Sequence, residues 1–243
     1  MDSVYSQNYV LSALHTDCFG RAKASALLFF AQEVAGQHCR ALSVDLKDTG
    51  LFWAVIRHRV QISRLPMQGE TITVETWPMP TTRVAYPRSV VAYDENGEEV
   101  FRSISLWVLM EQRTRAMILP GKSGIAVPGT ERGTELAVPN SLVPRNHDNS
   151  VCRSVSFTEL DCNGHMNNTR YMDWVDDLLP SVYHNAHPIR EFTICYLSEA
   201  REGQQIRLDW DLTEGPVLLV DAHRKSENDP LKTERVFSVR AQY

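Results

Sequence analysis

The stretch "ELDCNGHMNNTRYMDW", Glu159–Trp174, decides how this chain is read. Asn163-Gly164 suffices for a tight turn, because both residues tolerate positive φ at low cost. Asp161 and His165 are surplus to that turn. Beyond it, Tyr171, Trp174, Val175, Leu178 and Leu179 recur at i, i+3, i+4, i+7 and i+8, the apolar stripe of an amphipathic helix. An acid, amides and a histidine therefore stand at the amino end of a helix.

The first half of the chain runs through the same events. "ALHTDCFGRA" leads to a helical pattern from Lys23 to Leu42, with Leu27, Ala31, Val34, Ala35 and His38 on one face. Strand patterns follow in "FWAVIRHRVQI", "ETITVETW" and "RSVVAYDENGEEVFRSISLWVLM", the last folding back at Asp94 to Gly97. After the second helix come "EFTICYL", "GQQIRLDWDL" and a long hairpin, "VLLVDAHRKSENDPLKTERVFSVRAQY". D-C-x-G occurs at Asp17 and again at Asp161, 144 residues on (161 less 17), while the breaks at Gly69 and Gly203 are 134 apart (203 less 69). A shorter helix-to-strand region in the second copy reconciles the two offsets, and an internal duplication is expected.

Between the copies, "PGKSGIAVPGTERGTELAVPNSLVPRNHDNS" holds four of the twelve prolines and four of the twelve glycines without helical or strand periodicity. The expected division is residues 1–120, a linker over 121–149, and residues 150–243. Composition is that of a globular chain, with 43% hydrophobic and 23% charged residues. A formal charge of −5 argues against a nucleic-acid-binding surface. Cys18, Cys39, Cys152, Cys162 and Cys195 are odd in number and form no C-x-x-C pair, so neither disulfide framework nor structural zinc is expected. Cys162 and His165 have C-x-x-H spacing but no second ligand pair. No apolar run approaches membrane-spanning length, and an untargeted, cytoplasmic protein is expected.

Each half thus supplies a helix and strands joined mostly by hairpins, which implies an α+β fold with an antiparallel sheet covered by the helix. At this point the residues carry a resemblance. Asp161, Asn163, His165, Asn167 and Asn168 form D-x-N-x-H-x-N-N ahead of Tyr171 and Trp174, and "WAVIRHRVQI" from Trp53 resembles a Trp-led strand. Together with the duplication, these features resemble the acyl-acyl-carrier-protein thioesterases. The resemblance implies two tandem hotdog units, each an antiparallel sheet wrapped around one long central helix. It implies a hydrolase of fatty acyl-carrier-protein thioesters that needs no cofactor, has acyl carrier protein as partner, and works as a monomer or homodimer. It also implies a site of Asp161, Asn163, His165 and Glu199. In that family the Glu is usually followed by Cys; here Ala200 follows Glu199, so a Cys nucleophile at that point is excluded. The first half, with Phe19 and Arg21 in place of Asn163 and His165, has no such site. The resemblance gives it the acyl-chain cavity, with Leu27, Leu28, Phe29 and Phe30 as lining, although an apolar helix stripe is more often core.

The chemistry asked of these residues is explicit. Thioester hydrolysis needs donors aimed at the developing oxyanion and a base for water, and the stretch from Asn163 to Asn168, at the start of the helix, is expected to leave backbone N–H groups unpaired for that oxyanion. Asn163 and His165 suit the polarising role, and Asp161 or Glu199 the base or nucleophile; the residues do not choose between the two acids. Alternatives of the same fold are acyl-CoA hydrolysis or a non-catalytic acyl-binding module. Arg57, Arg59, Arg64 and Arg201 are candidate contacts to an acidic carrier or to phosphates. No G-x-S-x-G elbow, P-loop or dinucleotide fingerprint occurs.

Overall fold

A computed structural model describes residues 3–42, 44, 46, 49–226 and 231–243. The chain divides into two compact units, Met1–Pro139 and Asn140–Tyr243. Among the described residues no helix is long and apolar enough to cross a membrane.

The first unit comprises β1 (Tyr5–Val10), α1 (Ala24–Ala41), β2 (Leu51–Ile62), β3 (Thr71–Pro78), β4 (Tyr86–Tyr93), β5 (Glu99–Glu111), the short β6 (Met117–Ile118) and one turn of helix, α2 (Pro120–Ser123). Its sheet runs β1-β3-β4-β5-β2, antiparallel at each pairing, with β6 on β5. The apolar face expected of α1 is the buried one: Leu27, Ala31, Val34, Ala35 and His38 all lie inside, beside Phe30. Fully burying a side chain the size of Leu27 or Phe30 is worth about 1.5–3 kcal/mol, so this stripe fixes the helix on its sheet. Leu27, Leu28 and Phe30 are core, whereas Phe29 is 42% exposed. The four do not share one face.

The second unit comprises β7 (Asn149–Ser154), α3 (Arg170–Asp176), α4 (Ser181–Ala186), β8 (Glu191–Tyr196), β9 (Gln205–Leu212), β10 (Val217–Lys225) and β11 (Thr233–Gln242). Its sheet runs β8-β11-β10-β9-β7, again antiparallel. Here the expectation of one long helix is corrected. The helix stops at Asp176 and resumes at Ser181, because Pro180 has no N–H to offer and drives the residue before it out of the helical region. Tyr171, Trp174, Val175 and Leu179 are nonetheless buried, as the stripe predicts. The turn of the long hairpin, at 227–230, lies outside the described residues.

The five main strands of the two units match in order and register. Asn8 pairs with Thr73 as Cys152 pairs with Arg207, and Val74 with Ala92 as Leu208 with Ala222. Ile62 pairs with Phe101 as Tyr196 pairs with Phe237. Even the irregularity in the last hairpin recurs, at Ala92/Tyr93 and at Ala222/His223. The sequence reading finds neither β1 nor β7. Both are edge strands, and residues such as Gln7 and Asn8 or Asn149 and Ser150 give them no run of apolar positions.

Residues 124–148 carry neither helix nor strand, yet they are fastened down. Within the first unit Trp77 Nε1 donates to Glu135 Oε1 (3.0 Å), Arg132 to Glu75 (2.8 Å) and Arg57 to the Pro139 carbonyl (3.1 Å). Within the second, His147 sits between two acids, Nδ1 3.0 Å from Asp211 Oδ2 and Nε2 3.0 Å from Asp221 Oδ2.

Candidate active site

The turn after a 3-10 segment at Phe157–Glu159 is built by Asp161. Its Oδ1 accepts the backbone N–H groups of Asn163 (2.8 Å) and His165 (3.2 Å), and its own N–H donates to the His165 carbonyl (2.7 Å). Gly164, at φ 75°, closes the turn in the left-handed region that glycine enters without strain. Met166 N–H then donates to Ala200 O (2.7 Å) and Asn167 N–H to Glu159 O (2.8 Å), tying the turn to the loop after β8 and to the 3-10 segment. Asn167 Oδ1 receives the Thr169 N–H (3.0 Å) and hydroxyl (2.9 Å) at the start of α3.

The first unit repeats this frame. Asp17 Oδ1 accepts from Phe19 (2.8 Å) and Arg21 (2.9 Å), Gly20 has φ 75°, Ala22 N–H donates to Pro66 O (2.8 Å), and Lys23 N–H to His15 O (3.0 Å). The bond from Ala22 matches that from Met166 and makes Pro66 the counterpart of Ala200, and therefore Leu65 that of Glu199. A turn shared by both units is scaffold; what differs carries the chemistry. Asp is common to the two, while Asn163, His165 and Glu199 replace Phe19, Arg21 and Leu65.

Those replacements meet. His165 Nε2 lies 3.2 Å from Glu199 Oε2, the histidine side chain 12% exposed and the glutamate 38%. The carboxylate can only accept, so the proton of this contact sits on Nε2. Asn163 is exposed, and its Nδ2 makes one long bond to Asp161 Oδ2 (3.4 Å). Beneath them Tyr171 is buried; burial foremost, then the Glu199 and Asp161 carboxylates, hold its hydroxyl far above the usual phenol range, against the Ala200 N–H and Arg224, which favour the phenolate. Ala200, fully buried, carries only a methyl group, so the position after Glu199 offers no nucleophile.

One expectation is corrected. The backbone N–H groups from Asn163 to Asn167 are not unpaired oxyanion donors, since each has an acceptor within the turn and its anchors. Among the described residues the Asn168 N–H has no acceptor and the Asn163 carboxamide keeps a donor hydrogen, which makes the two the candidate donors. Glu159, the other acid of the opening stretch, is occupied structurally, accepting from Ser156 N–H (2.8 Å) and Trp174 Nε1 (2.5 Å). Of the candidate arginines, Arg57 is bound to Pro139, Arg64 is locked between Glu70 and Asp94, and Arg201 lies exposed on the loop that carries Glu199. Sequence reasoning missed Arg224, whose guanidinium reaches that loop from β10.

A helix on an antiparallel sheet, made twice, with a polar constellation in the second copy alone, is the architecture of tandem hotdog hydrolases. The chain belongs to the acyl-ACP thioesterase family: residues 2–119 match the acyl-ACP thioesterase N-terminal domain and residues 144–235 the C-terminal domain. It is 26% identical to a chloroplastic palmitoyl-acyl carrier protein thioesterase of Gossypium hirsutum, over 81% of this chain and 52% of that protein. It is 22% identical to the oleoyl-acyl carrier protein thioesterase 1 of Arabidopsis thaliana, over 82% of this chain and 61% of that one. The chain thus spans between half and two thirds of the length of these curated relatives. In fold it is similar to an acyl-ACP thioesterase from Bacteroides thetaiotaomicron (TM-score 0.83, 21% identity, 99% of this chain and 97% of that one). The 12:0-ACP thioesterase from Umbellularia californica is similar too (TM-score 0.81, 22% identity, 100% and 97% of the chains).

Proposed function

We propose that the chain hydrolyses fatty acyl-acyl carrier protein, releasing the free fatty acid, with one active site in the second unit. The observation that carries this reading is the contact of His165 Nε2 with Glu199 Oε2, present where the first unit has Arg21 and Leu65. Membership of the family supports the thioester as substrate.

Glu199 serves as the base. Its second carboxylate oxygen takes a proton from water while the water oxygen bonds to the thioester carbon. The Asn163 carboxamide and the Asn168 N–H stabilise the oxyanion. Collapse of that intermediate breaks the C–S bond, and the thiolate recovers the proton from Glu199. His165, donating through Nε2, orients the carboxylate. Each oxyanion donor of this kind is worth roughly 2.7–4 kcal/mol of barrier, and a positioned base about 10²- to 10⁴-fold in rate. Asp161 stays out of the proton path, its Oδ1 being taken by two backbone N–H groups. Five free thiols suit a reducing, cytoplasmic setting.

Purified protein offered the same acyl chain on carrier protein and on CoA tests the assignment. Thiol release from the carrier substrate at a clearly higher kcat/KM supports it, and Arg201→Glu should raise KM for the carrier substrate by about tenfold while leaving the CoA ester alone. Hydrolysis of the CoA ester only would replace carrier protein by CoA as the handle. Turnover of neither would favour the acyl-binding module.

A further inference from the structure

Arg224 holds the loop of Glu199 at several points. Its Nη1 donates to the Glu199 carbonyl and to Gln204 Oε1 (2.8 Å), its Nη2 to Ser198 Oγ (3.2 Å), and its Nε to Glu234 Oε1 (3.1 Å). The side chain is 12% exposed.

The first unit shows what such a loop needs in order to fold. Matching the strands of the two units makes Arg224 the counterpart of Asp94, Gln204 that of Glu70, and Ser198 that of Arg64. There the cation sits on the loop: Arg64 donates to Glu70 (2.8 Å) and to Asp94 (2.8 Å). In both units position 70 or 204 also takes a loop N–H, Met67 to Glu70 at 3.0 Å and Arg201 to Gln204 at 2.9 Å. An arginine braces either loop, but its polarity is exchanged. In the second unit the two carboxylates are gone, and the cation arrives from the hairpin.

The exchange does two things that folding alone does not require. It leaves positions 204 and 224, the counterparts of Glu70 and Asp94, without acid beside the one loop whose carboxylate is to be used. It also directs a guanidinium onto the carbonyl of Glu199 itself, a bond with no counterpart at Leu65 among the described residues.

We propose that Arg224 is a positioning residue, which sets the Glu199 carboxylate against His165 by gripping the Glu199 carbonyl and the Ser198 hydroxyl. The inference rests on the thioesterase reading. Glu199 lies on a loop, its side chain 38% exposed, so the backbone that carries it helps set where the carboxylate stands. A misplacement near 1 Å costs about 10²-fold in rate, so the brace acts on kcat.

The test is Arg224→Gln beside Arg224→Lys and Glu199→Gln. Arg224→Gln should lower kcat roughly 10- to 100-fold with KM within about twofold, and Arg224→Lys should recover much of the loss by restoring a cationic donor. In ¹⁵N NMR the His165 Nε2 resonance of Arg224→Gln should move toward its position in Glu199→Gln. Wild-type kcat in folded Arg224→Gln, a loss confined to KM, or an unmoved resonance would overturn the proposal. If Arg224→Gln does not fold, Ser198→Ala, lacking one of the guanidinium's partners, is read by the same kcat and resonance, with about a threefold to tenfold fall expected. A wild-type protein inert to thioesters would count against the enzyme reading instead, and the His165 resonance would still decide whether Arg224 sets the contact.

Discussion

His165 Nε2 stands 3.2 Å from Glu199 Oε2, while the two positions that correspond to them in the first unit hold Arg21 and Leu65 on the same backbone frame. The chain therefore carries its own control. One copy shows what the turn needs in order to fold, and the other what has been added.

The two turn aspartates separate folding from chemistry. Asp17→Ala and Asp161→Ala each remove the acceptor of two backbone N–H groups, so each should cost about 1–2 kcal/mol in urea unfolding, while only Asp161→Ala slows turnover. Asp161→Asn keeps an acceptor oxygen and should stay within about tenfold of the wild-type rate. A fall as deep as that of Glu199→Gln would make Asp161 a proton carrier.

A second expectation concerns acid. His58 is buried on β2, its Nε2 3.1 Å from Ser103 Oγ, and burial drives its imidazole from 6.5 down to about 3. The unfolded chain takes up this proton below pH 6.5 and the folded chain does not. Stability should therefore fall by about 1.4 kcal/mol per pH unit as pH drops from 6.5 toward 3 on this account alone. Unfolding measured across that range should show a shallower slope in His58→Gln, and identical slopes would contradict the buried neutral ring.

The His147 clasp predicts a stability effect without a catalytic one. Asp221 is 3% exposed; burial would raise its carboxyl, but bonds from Ser238 and His147 outweigh that and hold it below the ordinary range. That contribution is present above the usual carboxylate titration and is lost as pH falls through the folded value. His147→Gln removes a hydrogen-bond partner of the buried Asp221 and should cost about 1–3 kcal/mol, with kcat unchanged. An unaltered unfolding midpoint would show that residues 145–148 are not anchored by this ring.

Much of this was legible beforehand. The doubled D-C-x-G, the two gly breaks and the helical stripes give the antiparallel α+β plan, and the stripe through Leu27 and Val34 names the buried face of α1. Two things were not. Edge strands β1 and β7 lack an apolar run, and Pro180 broke a periodicity that the stripe alone would continue. At the site, the pairing of His165 with Glu199 crosses 34 positions of sequence (199 less 165) and becomes visible once the Met166–Ala200 bond aligns the loops. Arg224 left no local sign, since its meaning lies in taking the place that Asp94 has in the first unit, not in its neighbours along the chain.

The central claim is that the Glu199 carboxylate, oriented by His165, activates water on a thioester. The most direct measurement is kcat of Glu199→Gln on fatty acyl-carrier protein relative to wild type, with unfolding followed on the same samples. The account predicts a fall of at least about 10²-fold in a protein that unfolds at the wild-type midpoint. Turnover near the wild-type rate in that variant would contradict it.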